Sequence, residues 1–521
     1  MGRTMRPGTL LRLGLAGSRT DTVRVVLTAL TSALATLAVL TAANVVAIGR
    51  FSFHGTGSDE WANQYSNALL REPGLRPGTT LTLLLMTIPV FALAGQCTRL
   101  GAPERDRRLA AFRMAGATPA QTVAISSAET GFAALLGSLA GLGVFAAGHR
   151  LLHRPGPDGL LPLPTDVWPA AWFVFVAVAG IPVLAALAAA VVMRRVTVSP
   201  FGVVRRVRRT RGPRPWAGGF ILAGVLLLGL VASWAKLHRH LHIPYPPGWL
   251  VALLLIAGVG SAGLGVVLGT GWLTWWSGRL MARWARRPST VLASARLVAD
   301  PWSGSRTLAV LLICVLFGAG AAGIRAQFAA QQDAQLAAFR LAYPGDDFGP
   351  PDPFYLRTMD LVDAAVLTGM VLTAAALLVI VAEGIVSRRR EYASLVATGV
   401  PRGTLGRAIL WQTLLPAIPA VLLALVVGLS LARSFGTEAR AGGDAVLSCS
   451  AAADVCRGGN PGTDPQHWTQ TRSPEVVRAV AIPWRELGRD GGVALLSVLA
   501  TTGAGLLFLR RSTDLSEVRT T

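Results

Sequence analysis

Ten stretches of this chain are long and apolar enough to cross a lipid bilayer, and no other feature limits its fold so strongly. They are Val25–Ile48, Leu81–Cys97, Thr122–Ala147, Ala170–Met193, Trp216–Ala235, Gly248–Trp276, Thr307–Gly323, Leu361–Val386, Ala408–Ala432 and Val493–Leu509. A membrane helix needs roughly 20 mainly apolar residues to span about 30 Å of hydrocarbon. Inside that layer the backbone must satisfy its own hydrogen bonds, so runs of this length are expected to be helices. The first run is too long for a signal-peptide core and has no small-residue cleavage site behind it, so it reads as a retained span. The expected fold class is an all-α polytopic membrane protein with ten transmembrane helices and only short extracytoplasmic loops.

The net charge of +22 would suggest nucleic acid in a soluble chain. With the N-terminus in the cytoplasm, ten spans return the C-terminus there. The cytoplasmic segments then hold 32 of the 49 basic residues, while most acidic residues fall on the other side. This is the positive-inside pattern, and it accounts for the charge with no nucleic-acid partner. Membrane lipids are the expected partners: the run Arg205–Pro215, "RRVRRTRGPRP", suits a topology anchor among anionic headgroups.

Little in the sequence offers catalysis. A P-loop needs a lysine for the terminal phosphates, and the lone lysine, Lys236, falls in an outer loop. No HExxH or GxSxG arrangement is present, so the chain reads as a non-enzyme. The histidines all fall on the outer side, "HRHLH" at His238–His242 and His149 with His153 among them. Imidazole binds zinc or copper, but loose interfacial loops often carry histidine, and no metal site is assigned. Of four cysteines, Cys97 and Cys314 read as small apolar fillers. Cys449 and Cys456 share the outer loop Arg433–Gly488 and form a possible local disulfide pair on the oxidising side. The front half of that loop is rich in Gly, Ala, Ser and Asp and is expected to be poorly ordered; its back half, "EVVRAVAIPW", suits a strand.

Two landmarks repeat. "RRLAAFRMAGATP" at Arg107–Pro119 and "RREYASLVATGVP" at Arg389–Pro401 are small polar helices between apolar runs, and Gly116 falls on Gly399 at an offset of 283. "GLAGSRTDTVRVVLTAL" before the first run and "RLVADPWSGSRTLAVLL" before the seventh align Arg24 with Arg306 and Leu15 with Leu297 at 282. Separated landmarks agreeing to one residue indicate an internal duplication. Each copy reads as a lead-in helix (Leu10–Arg19, Val291–Val298) and four spans. Two further spans stand between the copies, so both face the same way and the repeat is parallel, a 4+2+4 arrangement. The expected units are 1–200, a central two-span linker 201–285, and 286–521. Small residues such as Gly137 and Gly141, and Gly258, Gly260, Gly263 and Gly265, allow close packing in lipid.

In the first polar segment Glu104 and Asp106 sit at the positive helix end, and Gly116 suits a left-handed C-cap before Pro119. Leu109, Phe112 and Met114 are free to face the membrane or a partner while Arg107, Arg108 and Arg113 face water. The bland alternative is a surface turn that obeys the charge rule. Three carboxylates fall inside spans, Glu129, Asp363 and Glu383, with Asp360 beside Asp363 at the outer interface. An intramembrane carboxylate is a functional candidate, though Glu129 could equally pair with a neighbouring helix.

On these residues the chain resembles the FtsX-like (MacB-type) ABC-transporter permeases. Their cytoplasmic coupling segment, between the second and third spans of a unit, runs Arg-Arg-Glu, aliphatic, Leu-Arg-x-x-Gly-Ala-Thr. Arg389–Glu391 supplies the start of that pattern and Arg113–Thr118 its finish. Relatives carry an acidic residue some 13 positions after the glycine; Glu129 fits, whereas the second copy has Gln412. The resemblance implies a permease subunit in the bacterial plasma membrane, with both termini cytoplasmic. A separate ABC-type ATPase, in two copies, would bind ATP and Mg, leaving no cofactor in this chain. The implied ATPase contacts are Arg107, Arg108, Phe112, Gly116, Arg389, Arg390, Glu391, Leu395 and Gly399. MacB-type and peptide-sensing relatives carry a large outer domain where this chain has only Gly49–Thr80 and Ile324–Asp360. A bilayer-derived amphiphile (lipid, lipopeptide or antimicrobial compound) therefore fits best as the substrate of export or extraction. The alternatives are an FtsX-type relay that moves no substrate and signals to an extracytoplasmic partner, and an ion-coupled secondary transporter.

Overall fold

The computed structural model describes residues 19–51, 62–72, 76–87, 90, 111, 114, 116–197, 216–241, 247–342, 354–387, 389–443, 445–449, 468–472 and 474–512. The helices are α1 (Arg19–Phe51), α2 (Ala68–Arg71), α3 (Arg76–Leu85), α4 (Pro119–Leu151), α5 (Ala171–Thr197), α6 (Ala217–Leu241), α7 (Gly248–Trp284), α8 (Pro288–Ala299), α9 (Pro301–Ala342), α10 (Phe354–Ser387), α11 (Arg389–Ala397), α12 (Arg402–Arg433) and α13 (Trp484–Ser512). Among the described residues nine of them (α1, α4, α5, α6, α7, α9, α10, α12 and α13) are long and apolar enough to cross a membrane. The remaining expected span, Leu81–Cys97, begins in α3 and otherwise lies almost wholly outside the described residues. The chain is a multi-pass, mainly helical membrane protein. Many hydroxyls inside the spans are satisfied locally: Thr36 Oγ1 donates to the Ser32 carbonyl at 2.8 Å and Thr274 Oγ1 to Thr270 at 2.7 Å, which lets polar side chains sit in hydrocarbon.

The two halves use the same packing scheme. In the first, α1 packs on α4, α4 on α5, and α1 also touches α3 and α5. In the second, α9 packs on α12, α12 on α13, and α9 also touches α10 and α13. Pro119 opens α4 and Arg402 opens α12, 283 positions apart. α6 and α7 form a hairpin against α9 and α12. α10 crosses between the halves: Leu27 of α1 meets Ala376, and Leu372 lies with Ala35, Val90 and Ile181. The largest buried cluster sits in the second half, around Leu311, Leu312, Val315, Met370, Ala420 and Val421.

Glycines set the closest crossings. A methyl group on Gly137 would fall on the Ala29 carbonyl of α1, and one on Gly141 would lie 2.6 Å from the Ala33 oxygen. In the second half a methyl on Gly428 of α12 would fall on the Leu316 carbonyl of α9. A methyl group on Gly224 of α6 would lie 2.6 Å from the Gly258 carbonyl of α7. In lipid, where no hydrophobic drive joins helices, such backbone approach is what holds pairs together. Exposed tryptophans gather at both ends of the spans, with Trp168, Trp172 and Trp484 at one and Trp216, Trp284 and Trp302 at the other. That is where amphipathic rings prefer to sit.

At the Trp484 end the structure departs from the expected short loops. The seventh run was bounded at Gly323, but α9 continues to Ala342, because Ala326, Ala330, Ala334 and Ala338 give its extension an apolar stripe. Ala330 and Ala334 pack with Ala439 and Val480. Among the described residues the loop after α12 forms two antiparallel strand pairs of a β-hairpin; residues 444 and 450–467, which hold much of the stretch expected to be poorly ordered, lie outside the described residues. β1 (Glu438–Ala441) pairs with β4 (Val476–Ala479), and β2 (Ala445–Cys449) pairs with β3 (Trp468–Arg472), all antiparallel. The registers Glu438↔Ala479 and Ala445↔Arg472 belong to one continuous ladder, broken where Gly442 and Gly443 take φ of +85° and +81°. Positive φ there demands glycine, so these two glycines supply a kink. Gln331 of α9 donates to the Arg440 carbonyl at 3.1 Å and holds the base.

In the first half the loops on the same end are tied at one buried phenol. Tyr65, fully buried, donates to Asp166 Oδ1 at 2.6 Å, and the Tyr65–Ser66 backbone bridges Leu161. Burial first, then the Asp166 carboxylate, push the Tyr65 phenol well up, so it stays a neutral donor. Tyr65→Phe should cost about 1.5–3 kcal/mol, as for a hydrogen bond to a charged group. Limited proteolysis of the 152–170 segment reads this as faster cleavage; an unchanged rate would contradict it.

Candidate functional site

The end opposite the hairpin carries both repeated polar segments. In the second half Pro401 precedes α12 and α11 lies just before it, starting at Arg389 with Glu391 in its first turn, where a carboxylate suits the helix dipole. α11 ends in a Schellman arrangement: Val400 N–H reaches the Leu395 carbonyl at 3.1 Å and Gly399 N–H reaches Val396 at 3.0 Å. Gly399 has φ of +92°. In the first half Gly116, 283 positions earlier, has φ of +93°, and Thr118 caps α4 through a capping box with Gln121. The matched glycines therefore share one left-handed conformation, as expected of a helix C-cap.

α11 is anchored on one face and open on the other. Tyr392 is buried with Ile385, Leu405 and Ile409, and Leu395 and Leu292 pack against the group. Arg296 of α8 lies over the Tyr392 ring at 5.1 Å, donates to its hydroxyl at 2.9 Å, and comes within 4.0 Å of Glu391. The expected lead-in helix, Val291–Val298, thus exists as α8 and clamps α11. Glu391, Ser394, Thr398 and Gly399 remain exposed. In the first segment Gly116 and Met114 are exposed, Met114 at 85%, an unusual exposure for such an apolar side chain. Arg107, Arg108 and Phe112 lie outside the described residues, as does the lead-in segment before Arg19. The side chains of Arg389 and Arg390 also lie outside that set.

The intramembrane carboxylates fall on different parts of the fold. Glu129 is buried on α4, Glu383 falls on α10 with its side chain outside the described set, and Asp363 joins a separate ionic cluster at the hairpin end. There Asp363 Oδ2 lies 3.3 Å from Arg325 of α9 and 3.1 Å from Arg489 of α13. Arg325 also pairs with Asp360, and Arg489 Nε lies 3.0 Å from Asp490 Oδ1. The Asp490 side chain is fully buried, its Oδ2 facing Gly318, where a methyl group would lie only 2.6 Å away. The cluster fixes α9, α10 and α13 together. Sequence reading found Asp360 and Asp363 but missed Arg325, Arg489 and Asp490; the adjacent Arg-Asp pair opening α13 was the one available signal. The positions aligned with Asp363 and Arg325 in the first half, Thr80 and Ala43, cannot form such a cluster.

His149 packs with Phe145 and Trp168, and His153 Nδ1 lies 2.9 Å from Thr165 Oγ1. Among the described residues no group of three His, Cys, Asp or Glu is placed to hold a metal. Cys449 lies in β2; Cys456 is outside the described residues.

A family model described as FtsX-like permease C-terminal matches residues 80–198 and 364–451. No curated protein and no solved structure matches the chain. The first matched segment holds Met114, Gly116, α4 and α5, while the second holds α11, Gly399 and α12. The segments begin 284 positions apart, within one residue of the offset between Gly116 and Gly399. The two matched segments thus fall one in each half.

Proposed function

We propose that this chain is the membrane subunit of an ABC transporter and that a separate ATPase docks on the two polar segments. The observation that carries the reading is the repeat itself. Gly116 and Gly399 end two polar segments with the same positive φ, at the same end of the spans, each three residues before the start of a long helix. A dimeric ATPase needs two equivalent grips, and a duplicated unit supplies them. Arg107, Arg108, Phe112, Gly116, Arg389, Arg390, Glu391, Leu395 and Gly399 are the proposed contacts, with Met114 added by its exposure. ATP and Mg would be held by the ATPase, and this chain would contribute no cofactor. Arg296 acts as a positioning residue: it ties α11 to α8, so a pull on α11 is passed to α8 and α12. In this reading both termini and both polar segments are cytoplasmic, in a bacterial plasma membrane, and the units are 1–200, 201–285 and 286–521. The substrate is an amphiphile taken from the bilayer.

One observation favours the relay alternative. The α9 extension and the hairpin together offer an outer surface larger than the short loops the sequence suggested. The ion-coupled reading is weakened because Asp363 is already paired with two guanidiniums. The test is co-purification of a candidate ATPase with wild type and with Glu391→Arg plus Met114→Asp. Co-purified ATPase activity is expected to fall about tenfold or more in the variant, the equivalent of about 1.4 kcal/mol of binding. Equal recovery from both would sink the docking reading. Substrate release into acceptor vesicles then separates exporter from relay.

A further inference from the structure

A cavity of ≈ 350 Å³ opens between the two halves. Six helical segments line it, each represented by one residue: Met86 after α3, Leu228 of α6, Val259 of α7, Phe317 of α9, Val362 of α10 and Phe435 of α12. The first half, the second half and the central pair therefore all contribute a wall. Among the described residues that line it there is no charged side chain. The one hydroxyl, on Thr82, is spent on the Gly78 carbonyl at 2.9 Å. The one thiol, on Cys314, lies against Thr373 at 3.9 Å.

That lining selects its occupant. A peptide would bring amide groups that cost several kcal/mol each when left unpaired in such surroundings. Water needs 2–4 polar partners and finds none. An empty apolar space forfeits dispersion contacts on every wall. The volume lies within the roughly 300–1,000 Å³ of small-molecule pockets, and the fluid at this depth is lipid: Leu226 and Val371 on the same helices are 62% and 65% exposed and apolar. Three helices meet the cavity through small residues, Ala321 of α9, Ala365 of α10 and Ala432 of α12.

The geometry points to a binding site for one acyl chain of a membrane amphiphile, held between the two units and the α6–α7 pair. This gives a chemical class to the amphiphile of the permease reading and to that extent rests on it. The site itself requires no ATPase.

The experiment uses the full chain alone in phosphatidylcholine–phosphatidylglycerol vesicles, with a phosphatidylcholine carrying a diazirine in one acyl chain. After photolysis, adducts are mapped by peptide mass spectrometry. Labelling is expected to concentrate on cavity residues such as Phe317 and Val362, to saturate, and to be competed by unlabelled lipid. Ala365→Phe and, independently, Ala321→Phe fill the space and should reduce that labelling about tenfold, a loss equivalent to about 1.4 kcal/mol. Leu226→Phe, on the lipid-facing side, should leave it unchanged. Phe317→Ala, which enlarges the space, should retain labelling at Val362 and guards against a filled variant that fails to fold. Adducts spread evenly over Leu226, Val371 and other lipid-facing positions, or cavity labelling indifferent to both filling variants, would overturn the site. A chain that binds no ATPase but labels as expected would sink the coupling reading and leave the site standing.

Discussion

Asp363→Ala should lower the stability of the chain by about 3–5 kcal/mol, the usual result of removing one partner from a buried ion pair. Asp363 is 7% exposed and its carboxylate is shared by Arg325 of α9 and Arg489 of α13. Alanine leaves Arg325 with the exposed Asp360 and Arg489 with Asp490, so the three helices lose their common contact. Asp363→Asn keeps shape and acceptor but not charge, and its loss should be intermediate. Thermal unfolding in detergent, followed by tryptophan fluorescence, makes the comparison. The double variant Asp363→Ala, Arg489→Ala should lose less than the sum of the two single changes, since both remove the same contact. Strict additivity, or an unchanged midpoint for Asp363→Ala, would show that the cluster does not join the helices.

The second large effect is expected at the α9–α12 crossing. Gly428→Val places a side chain where the Leu316 carbonyl stands, with the Ala319 methyl 2.8 Å and the Gly320 nitrogen 3.2 Å from the added carbon. All three belong to the facing helix, and two are backbone, so rotamer changes cannot relieve the clash. Overpacking of this kind costs about 1–3 kcal/mol, and separation of two backbones belongs at the upper end. Gly260→Val on α7 is the comparison, because an added carbon there meets nothing within 4 Å. A Gly428→Val chain with the midpoint of the Gly260→Val chain would mean the two helices do not meet as described.

Much of the fold was legible because lipid is an exacting solvent. Apolar runs of span length have few alternatives, and the nine spanning helices coincide with nine of the ten runs. Gly116 was legible as a C-cap because a positive φ selects glycine almost alone, and Gly399, its aligned partner, takes the same conformation. What escaped depends on contacts distant in sequence. Arg325 and Arg489 look like ordinary loop charges until three helices converge on Asp363. The hairpin escaped for a different reason: its strands are short and polar, and its two kink glycines carry the composition of a loop. α9 was cut short because Arg325 and the polar residues after it ended the hydropathy signal, although alanine continues the helix readily. The cavity was out of reach as well, since it belongs to six segments at once.

The unbroken length of α9 has a mechanical meaning. Gly428 of α12 crosses it so tightly that an added carbon would meet Leu316 and Gly320, so the helix is gripped near its middle. From Gly320 the two arms of α9 measure roughly 28 Å toward Pro301 and 33 Å toward Ala342, at about 1.5 Å per residue. One end follows α8, which abuts α11, and the other carries the base of the hairpin. Any tilt about that grip is therefore a see-saw of nearly equal arms. A sideways step imposed at Pro301 reappears at Ala342 with the opposite sign and about the same size, and no intervening hinge in α9 absorbs it.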